Sequence, residues 1–304
     1  MISVNTPITL SGHQNPVFTV EGSQKPGIIF TAGNDKGVVE WSLKRHEFIK
    51  VLQTVKTSVY ALHALETLPF LLIGERSGQV SAFNFQEQKV TNILDQHKLP
   101  VFDIKSATGK NELLIASEDG TLSVWSLTDF KLLYNFRASN ETVRVIAISP
   151  NQKLLALGCK DSRVLIYNLE DYSLITEITG HTLPVYSVQF SPDGMYLLTG
   201  SRDAQIKVWN TSDFSLFKNI SAHLFAIYGL AFHPSKPYFA SGSRDKNIKI
   251  WSSEDFELKK TISIEKGFDS HRLSVNRLIW DVHTEQLVTV SDDKLVKVWD
   301  IQFE

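Results

Sequence analysis

Short runs with strand-like alternation recur along the whole chain. Ile206 and Val208 flank Lys207 before Trp209, Ile248-Lys249-Ile250 precedes Trp251, and Val296-Lys297-Val298 precedes Trp299. Period-two alternation carried by β-branched residues predicts half-buried strands. Residues 196–199, 238–241 and 286–290 read as the strands just before them. Turn signals lie between the runs: Ser191-Pro192-Asp193-Gly194, Ser149-Pro150-Asn151-Gln152 and His233-Pro234-Ser235-Lys236. No segment carries helical periodicity, so the pattern predicts an all-β chain.

The tryptophans set a longer period. Trp41, Trp125 and Trp209 are 84 apart, Trp209 and Trp251 are 42 apart, and Trp299 follows after 48. Halving the longer step predicts aromatics at 83 and 167, where Phe83 and Tyr167 stand. A histidine series runs in phase 28 residues ahead: His13, His97, His181, His223 and His271, with Val55 and Ser139 in the two remaining places. Six residues before each aromatic stands Asp35, Asp119, Asp161, Asp203, Asp245 or Asp293, with Ser77 the exception. Two residues earlier again come Ser117, Ser201, Ser243 and Ser291. Seven units of about four strands follow, one enlarged by six residues around 264–269. Such a unit cannot bury both faces alone, so neighbours must stack on it.

These residues resemble the WD-repeat β-propellers, whose repeat opens near a Gly-His and ends in Trp-Asp. The best copy runs from Gly180-His181 through Ser201 and Asp203 to Trp209, and Trp299-Asp300 keeps the terminal pair. The second repeat, with Val55, Glu75, Ser77 and Phe83, has lost every signature residue. The resemblance implies a seven-bladed propeller of four-stranded antiparallel blades filling residues 1–304 as one domain. The chain stops five residues after Trp299, so the last unit lacks an outer strand. An N-terminal strand over residues 2–10 is expected to complete blade seven and close the ring.

Composition narrows the function. The 31 Lys+Arg against 33 Asp+Glu give a formal net charge of −2, which argues against a nucleic-acid partner. One cysteine, Cys159, excludes a disulfide framework and a multi-cysteine zinc site. No secretory leader and no apolar run of about 18 residues is visible, which points to the cytoplasm, or to a nucleus in a eukaryotic host, and to no membrane.

Recurring Ser, His and Asp invite a hydrolase reading. A catalytic triad is needed once, however, and full sets occur repeatedly here, each with an in-phase aromatic. A structural network satisfies the same groups: Asp with one imidazole nitrogen, a Ser hydroxyl with the other, and the indole N–H on the Ser oxygen. The sets are His97, Ser117, Asp119, Trp125; His181, Ser201, Asp203, Trp209; His223, Ser243, Asp245, Trp251; and His271, Ser291, Asp293, Trp299. The resemblance implies the same hydrogen-bonded tetrad. His46, His63, His233 and His283 show no metal-ligand spacing, and no phosphate loop is present, so neither enzyme chemistry, cofactor nor small-molecule substrate is expected.

Binding is then sought at positions the repeat leaves free. The residue before each tetrad Asp is basic in four of seven units, Arg76, Lys160, Arg202 and Arg244. Five residues after the His position stand Phe18, Tyr60, Phe102, Arg144, Tyr186 and Tyr228. Heterotrimeric G-protein β subunits, which the chain resembles in architecture, hold partners through equivalent positions. Phe268 in the enlarged loop is a further candidate anchor. The expected function is a non-catalytic scaffold or adaptor in a multiprotein complex, binding proteins or acidic or phosphorylated peptides. A nucleic-acid- or chromatin-facing subunit and a propeller enzyme with a central-channel site are the alternatives. The repeated Asp129-Phe130, Asp171-Tyr172, Asp213-Phe214 and Asp255-Phe256 read as turn chemistry, with the ring covering the blade's outer edge.

Overall fold

The computed structural model describes residues Ile2–Phe303. They form seven four-stranded antiparallel sheets and one two-stranded ribbon, divided between two compact units. The first unit joins residues up to Val59 with those from His223 onward, and the second runs from Tyr60 to Ala222. Blades are numbered below in chain order.

The first unit holds blades six, seven and one. Blade six comprises Ile227–Phe232, Tyr238–Ser243, Ile248–Ser252 and Leu258–Ile262. Blade one comprises Val17–Gly22, Ile28–Gly33, Gly37–Ser42 and Glu47–Thr54. Blade seven takes Val275–Trp280, Leu287–Ser291 and Val296–Trp299 from the C-terminal part, and its outer strand, Ile8–Leu10, from the N-terminus. Completion of the last blade by the N-terminal strand is therefore as expected, but the strand is not continuous over 2–10. Ile2–Val4 pairs instead with Ile301–Phe303 as a separate ribbon. Pro7 explains the break: it cannot donate to the ladder and it restricts Thr6 before it.

The second unit holds blades two to five. Their innermost strands are Val59–Ala64 (its first residue at the unit boundary), Val101–Ala107, Val143–Ile148 and Val185–Phe190. Burial falls from the middle of a blade outwards. Leu154–Cys159, a second strand, is buried except at Leu154, whereas the outer strand Leu132–Arg137 is exposed everywhere but Phe136.

Within each unit the apolar cores lie between neighbouring blades. One cluster joins Leu114, Leu122 and Val124 of blade three to Val143, Ile146 and Leu157 of blade four. Another joins Ala240 and Ile250 of blade six to Val275 and Leu278 of blade seven. Close approach sets residue size at some points. A Cβ on Gly158 would lie 2.6 Å from Val145 Cγ1 and 3.0 Å from Val185 Cγ1 of blade five. Gly158→Val is expected to cost about 1–3 kcal/mol through overpacking, read as a lower urea midpoint; an unchanged midpoint would contradict this packing.

The Asp-aromatic pairs are turn chemistry, as the sequence suggests. Asp129, Asp171, Asp213 and Asp255 each accept the backbone N–H two residues on. The aromatic that follows sits at positive φ, 55 to 58°. Three of these rings do not cover the outer edge of their own blade. Phe130 packs edge-on at 5.0 Å against Phe70 of blade two, the Tyr172 hydroxyl donates to Glu112 of blade three, and Phe214 packs on the blade four–five cluster. They are wedges between blades, because the left-handed turn residue aims its side chain back along the sheet stack.

Candidate functional site

Five blades carry a closed polar network at the end where the His loop meets the Asp turn. In blade five, His181 Nδ1–H donates to Asp203 at 2.8 Å. The Thr199 hydroxyl donates to His181 Nε2 at 2.7 Å and accepts the Trp209 indole N–H at 2.9 Å. Blade six uses His223, Asp245, Ser241 and Trp251, and blade seven uses His271, Asp293, Thr289 and Trp299. Blade one has the same network in His13, Asp35, Thr31 and Trp41. Because a carboxylate can only accept, the proton lies on Nδ1 and Nε2 is left to accept from the hydroxyl.

The hydroxyl is not the one expected. Ser117, Ser201, Ser243 and Ser291 stand two residues too close to the turn to meet the indole. Thr199 lies opposite Lys207, two pairs along from Leu197–Trp209 and so on the same face of the sheet, which brings it within reach of the ring. Ser201 instead donates to the Leu183 carbonyl and accepts Asp203 N–H; Ser117 and Ser243 do likewise with Leu99 and Phe225. Ser291 accepts Asp293 N–H. Ser117, Ser201 and Ser243 tie the His loop to the Asp turn, and all four serines sit outside the tetrad. In blade three the proper place holds Ile115, and Ser123, directly opposite it on the next strand, supplies the hydroxyl. The signal was available: a Ser or Thr ten residues before Trp41, Trp209, Trp251 and Trp299.

Electrostatics make these networks acid-sensitive. Burial pushes the Asp203 and Asp245 carboxyls up, but the hydrogen bonds and charges of His181 and His223 outweigh it and hold both at about 2. Burial pushes His223 down against the pull of Asp245, and pushes His233 down as well. Every one of these folded-state values lies below its unfolded counterpart. The histidine contribution is therefore present above pH 6.5 and is lost as pH falls through the folded value. The carboxylate contribution, about 2 kcal/mol per Asp, is present above pH 3.8 and lost as pH falls through about 2. Urea midpoints measured from pH 8 to 2 are expected to fall in those two windows; a midpoint that rises on acidification would contradict the assignment.

Blades two and four lack the network. Blade four has Ser139 in the histidine's place, and Asp161 turns to Arg163 at 2.6 Å. Cys159 is fully buried and burial pushes its thiol up to about 12, so it packs as a small apolar residue. His233 takes the part of a turn serine, its Nδ1 accepting Ser235 and Lys236 N–H. Among the described residues no cluster of His, Cys, Asp and Glu could hold a metal, and no helix is long and apolar enough to cross a membrane.

The binding candidates fall in both units. In the second, the positions five after the His place come together as a ladder across blades two to five. Tyr60 lies 5.4 Å from Phe102, the Arg144 guanidinium lies 4.0 Å from the Phe102 ring, and it is 5.2 Å from Tyr186. Arg144 Nε is buried without a hydrogen-bond partner, and no carboxylate among the described residues pairs with this cation. Arg76 and Arg202 are exposed in their turns, while Lys160 is already paired with Glu141 at 3.1 Å. Phe18, Tyr228 and Arg244 belong to the first unit, where blade seven has Asn276 at the ladder position, tied to Val17 O and Asp292. Phe268 is half-buried against the blade six–seven core with Lys260 5.7 Å over its ring, so it props the loop rather than projecting from it.

Four-stranded blades in sevenfold repeat, five of them locked by His, Asp, Ser or Thr and Trp, define a β-propeller. The chain belongs to the WD40 family: the sequence profile described as WD domain, G-beta repeat matches residues 88–126, 130–168, 172–210, 214–252 and 262–300, more than half of the chain. The first four matched stretches each contain one outer strand and the three inner strands of the next blade, and the fifth begins at the last residue of blade six's outer strand, the same stagger that leaves blade seven to be completed from the N-terminus. The matches leave out blade one, although its tetrad is intact, and most of blade two. A search of curated proteins finds no match. The fold matches that of a non-catalytic WD40 scaffold.

Proposed function

We propose that the chain is a scaffold that holds partner proteins or peptides at the end of the blades bearing the His loops and Asp turns, as a subunit of a larger assembly. The recognition centre in the second unit is the Tyr60–Phe102–Arg144–Tyr186 ladder, and its ligand is an acidic or phosphorylated segment. The single observation that supports this reading is Arg144: a guanidinium between two rings, with no carboxylate among the described residues paired to it. A stacked guanidinium keeps its plane and charge while its edge accepts a carboxylate or phosphate, and aromatic and Arg side chains are enriched at interface hot spots. The exposed Arg202 adds a second cation in the neighbouring blade.

An array of acidic, neutral and basic peptides probed with the full chain tests it. Preference for acidic peptides is expected, with binding reduced at least about tenfold in Arg144→Ala, the loss of one charge-assisted contact. Equal binding of all three classes, or an Arg144→Ala variant that binds as the parent does, would overturn it.

A further inference from the structure

The enlarged loop makes the first unit unlike the other. Its six extra residues form a single turn, Ile264–Lys266, closed by Gly267 at φ 84°. Two contacts fix that turn. Lys297, only 2% exposed, reaches from the third strand of blade seven to Asp269 at 3.0 Å and to Thr9 at 3.0 Å. Phe268, beside Asp269, is packed against the blade six–seven core. An insertion held by a buried lysine is a wall, not a loose loop.

Facing that wall is the Asp turn of blade six. Between them lies a cleft of about 250 Å³ lined by Lys246, Asn247, Ser263, Ile264, Glu265, His271 and Arg272. The His271 ring is spent in its tetrad, so the polar groups left to a ligand are Lys246, Arg272, Asn247, Ser263 and Glu265. Neither Lys246 nor Arg272 forms a side-chain hydrogen bond or ion pair with any described residue. Two unneutralised cations thus share the cleft with one carboxylate. The rim is apolar. Leu224 is 81% exposed and Phe225 57%, and their loop is bound to the same turn through Leu224 N–H to Asp245 and Arg244 N–H to Ala226 O. Leu273, just beyond Arg272, is 48% exposed.

We propose that this cleft seats a phosphorylated side chain of a partner peptide, whose flanking apolar residues cover Leu224, Phe225 and Leu273. Lys246 and Arg272 outnumber Glu265 in the cleft, and a phosphate monoester, with close to two negative charges and three acceptor oxygens, can engage both cations against that one carboxylate. The pinned turn holds the donors in place before binding, which lowers the cost of ordering them. The exposed apolar rim selects a peptide over a small phosphate, which would leave it in water. The site shares no residue with the ladder.

Fluorescence anisotropy of the full chain with a labelled peptide pool of Leu-phosphothreonine-Leu centre, and with its unphosphorylated twin, tests the proposal. The phosphorylated pool is expected to bind at least about tenfold more tightly, and the double variant Lys246→Asn, Arg272→Gln to lose at least about tenfold, the scale of one charge-assisted bond. Asn at 246 accepts the positive φ of 72°, so the turn is kept. Lys131→Gln, which removes an exposed cation from a turn that belongs to neither site, is expected to leave the affinity unchanged. Equal binding of the two pools, full binding by the double variant, or an equal loss in Lys131→Gln would overturn the proposal. Inorganic phosphate binding as tightly as the peptide would also overturn it, by showing a site for small phosphates.

Discussion

Thr199→Val is expected to destabilise the protein by about 2–4 kcal/mol, and Ser201→Ala by only about 1, although the two hydroxyls are two residues apart on one strand. Valine keeps the shape of threonine, so packing around blade five is preserved. What is lost is the hydroxyl that donates to His181 Nε2 and accepts the Trp209 indole N–H. Both partners are then left buried and unsatisfied, each at about 1–3 kcal/mol. Ser201 holds only a loop carbonyl and a turn N–H, and both lie near solvent. Urea denaturation of the two variants decides the matter: equal losses, or a larger loss for Ser201→Ala, would return the tetrad to the serine.

Arg144→Glu carries the largest expected effect on binding, a loss of at least about a hundredfold for acidic peptides, since one cation is removed and one repulsive charge is added. It should also lower stability by about 1–3 kcal/mol, because a carboxylate then faces two aromatic π-faces without a partner. Arg144→Lys separates charge from stacking. It keeps the cation but not the planar group that lies 4.0 Å from Phe102, so an intermediate affinity is expected. Titration of one acidic peptide against the three variants, with melting curves beside it, gives the order Arg, Lys, Ala, Glu. Indifference to the charge at 144 would remove the ladder from the binding account.

Much of this protein is legible in its sequence because a repeat reports each position several times. The aromatics at 42-residue steps place the seven blades, including the second, where the network is gone and only strand pattern remains. The His and Asp partners follow from the same phase. The tetrad hydroxyl is misplaced by that method, since Ser201 and Thr199 repeat equally well and only strand register tells which meets the indole. Substitution across the ladder, Ser123 for the residue at 115, is invisible to any comparison of equivalent positions. Pro7 marks the break in the N-terminal strand, yet the pairing of Ile2–Val4 with Ile301–Phe303 joins chain ends that no local pattern connects. The candidate site was legible as residue types, five aromatics and Arg144 at one repeat position. That Arg144 lies between two rings needed coordinates, and so did the inward turn of Phe268.

The central claim is that partners are held at the ladder end of blades two to five. Hydrogen–deuterium exchange of the full chain, with and without the best-binding acidic peptide, tests it most directly. Slowed exchange is predicted around residues 98–102, 140–144 and 182–186, with no change in the turns at 129–130, 171–172 and 213–214 at the opposite end. Protection confined to those opposite turns, or absent at the ladder while the peptide is bound, would contradict the account.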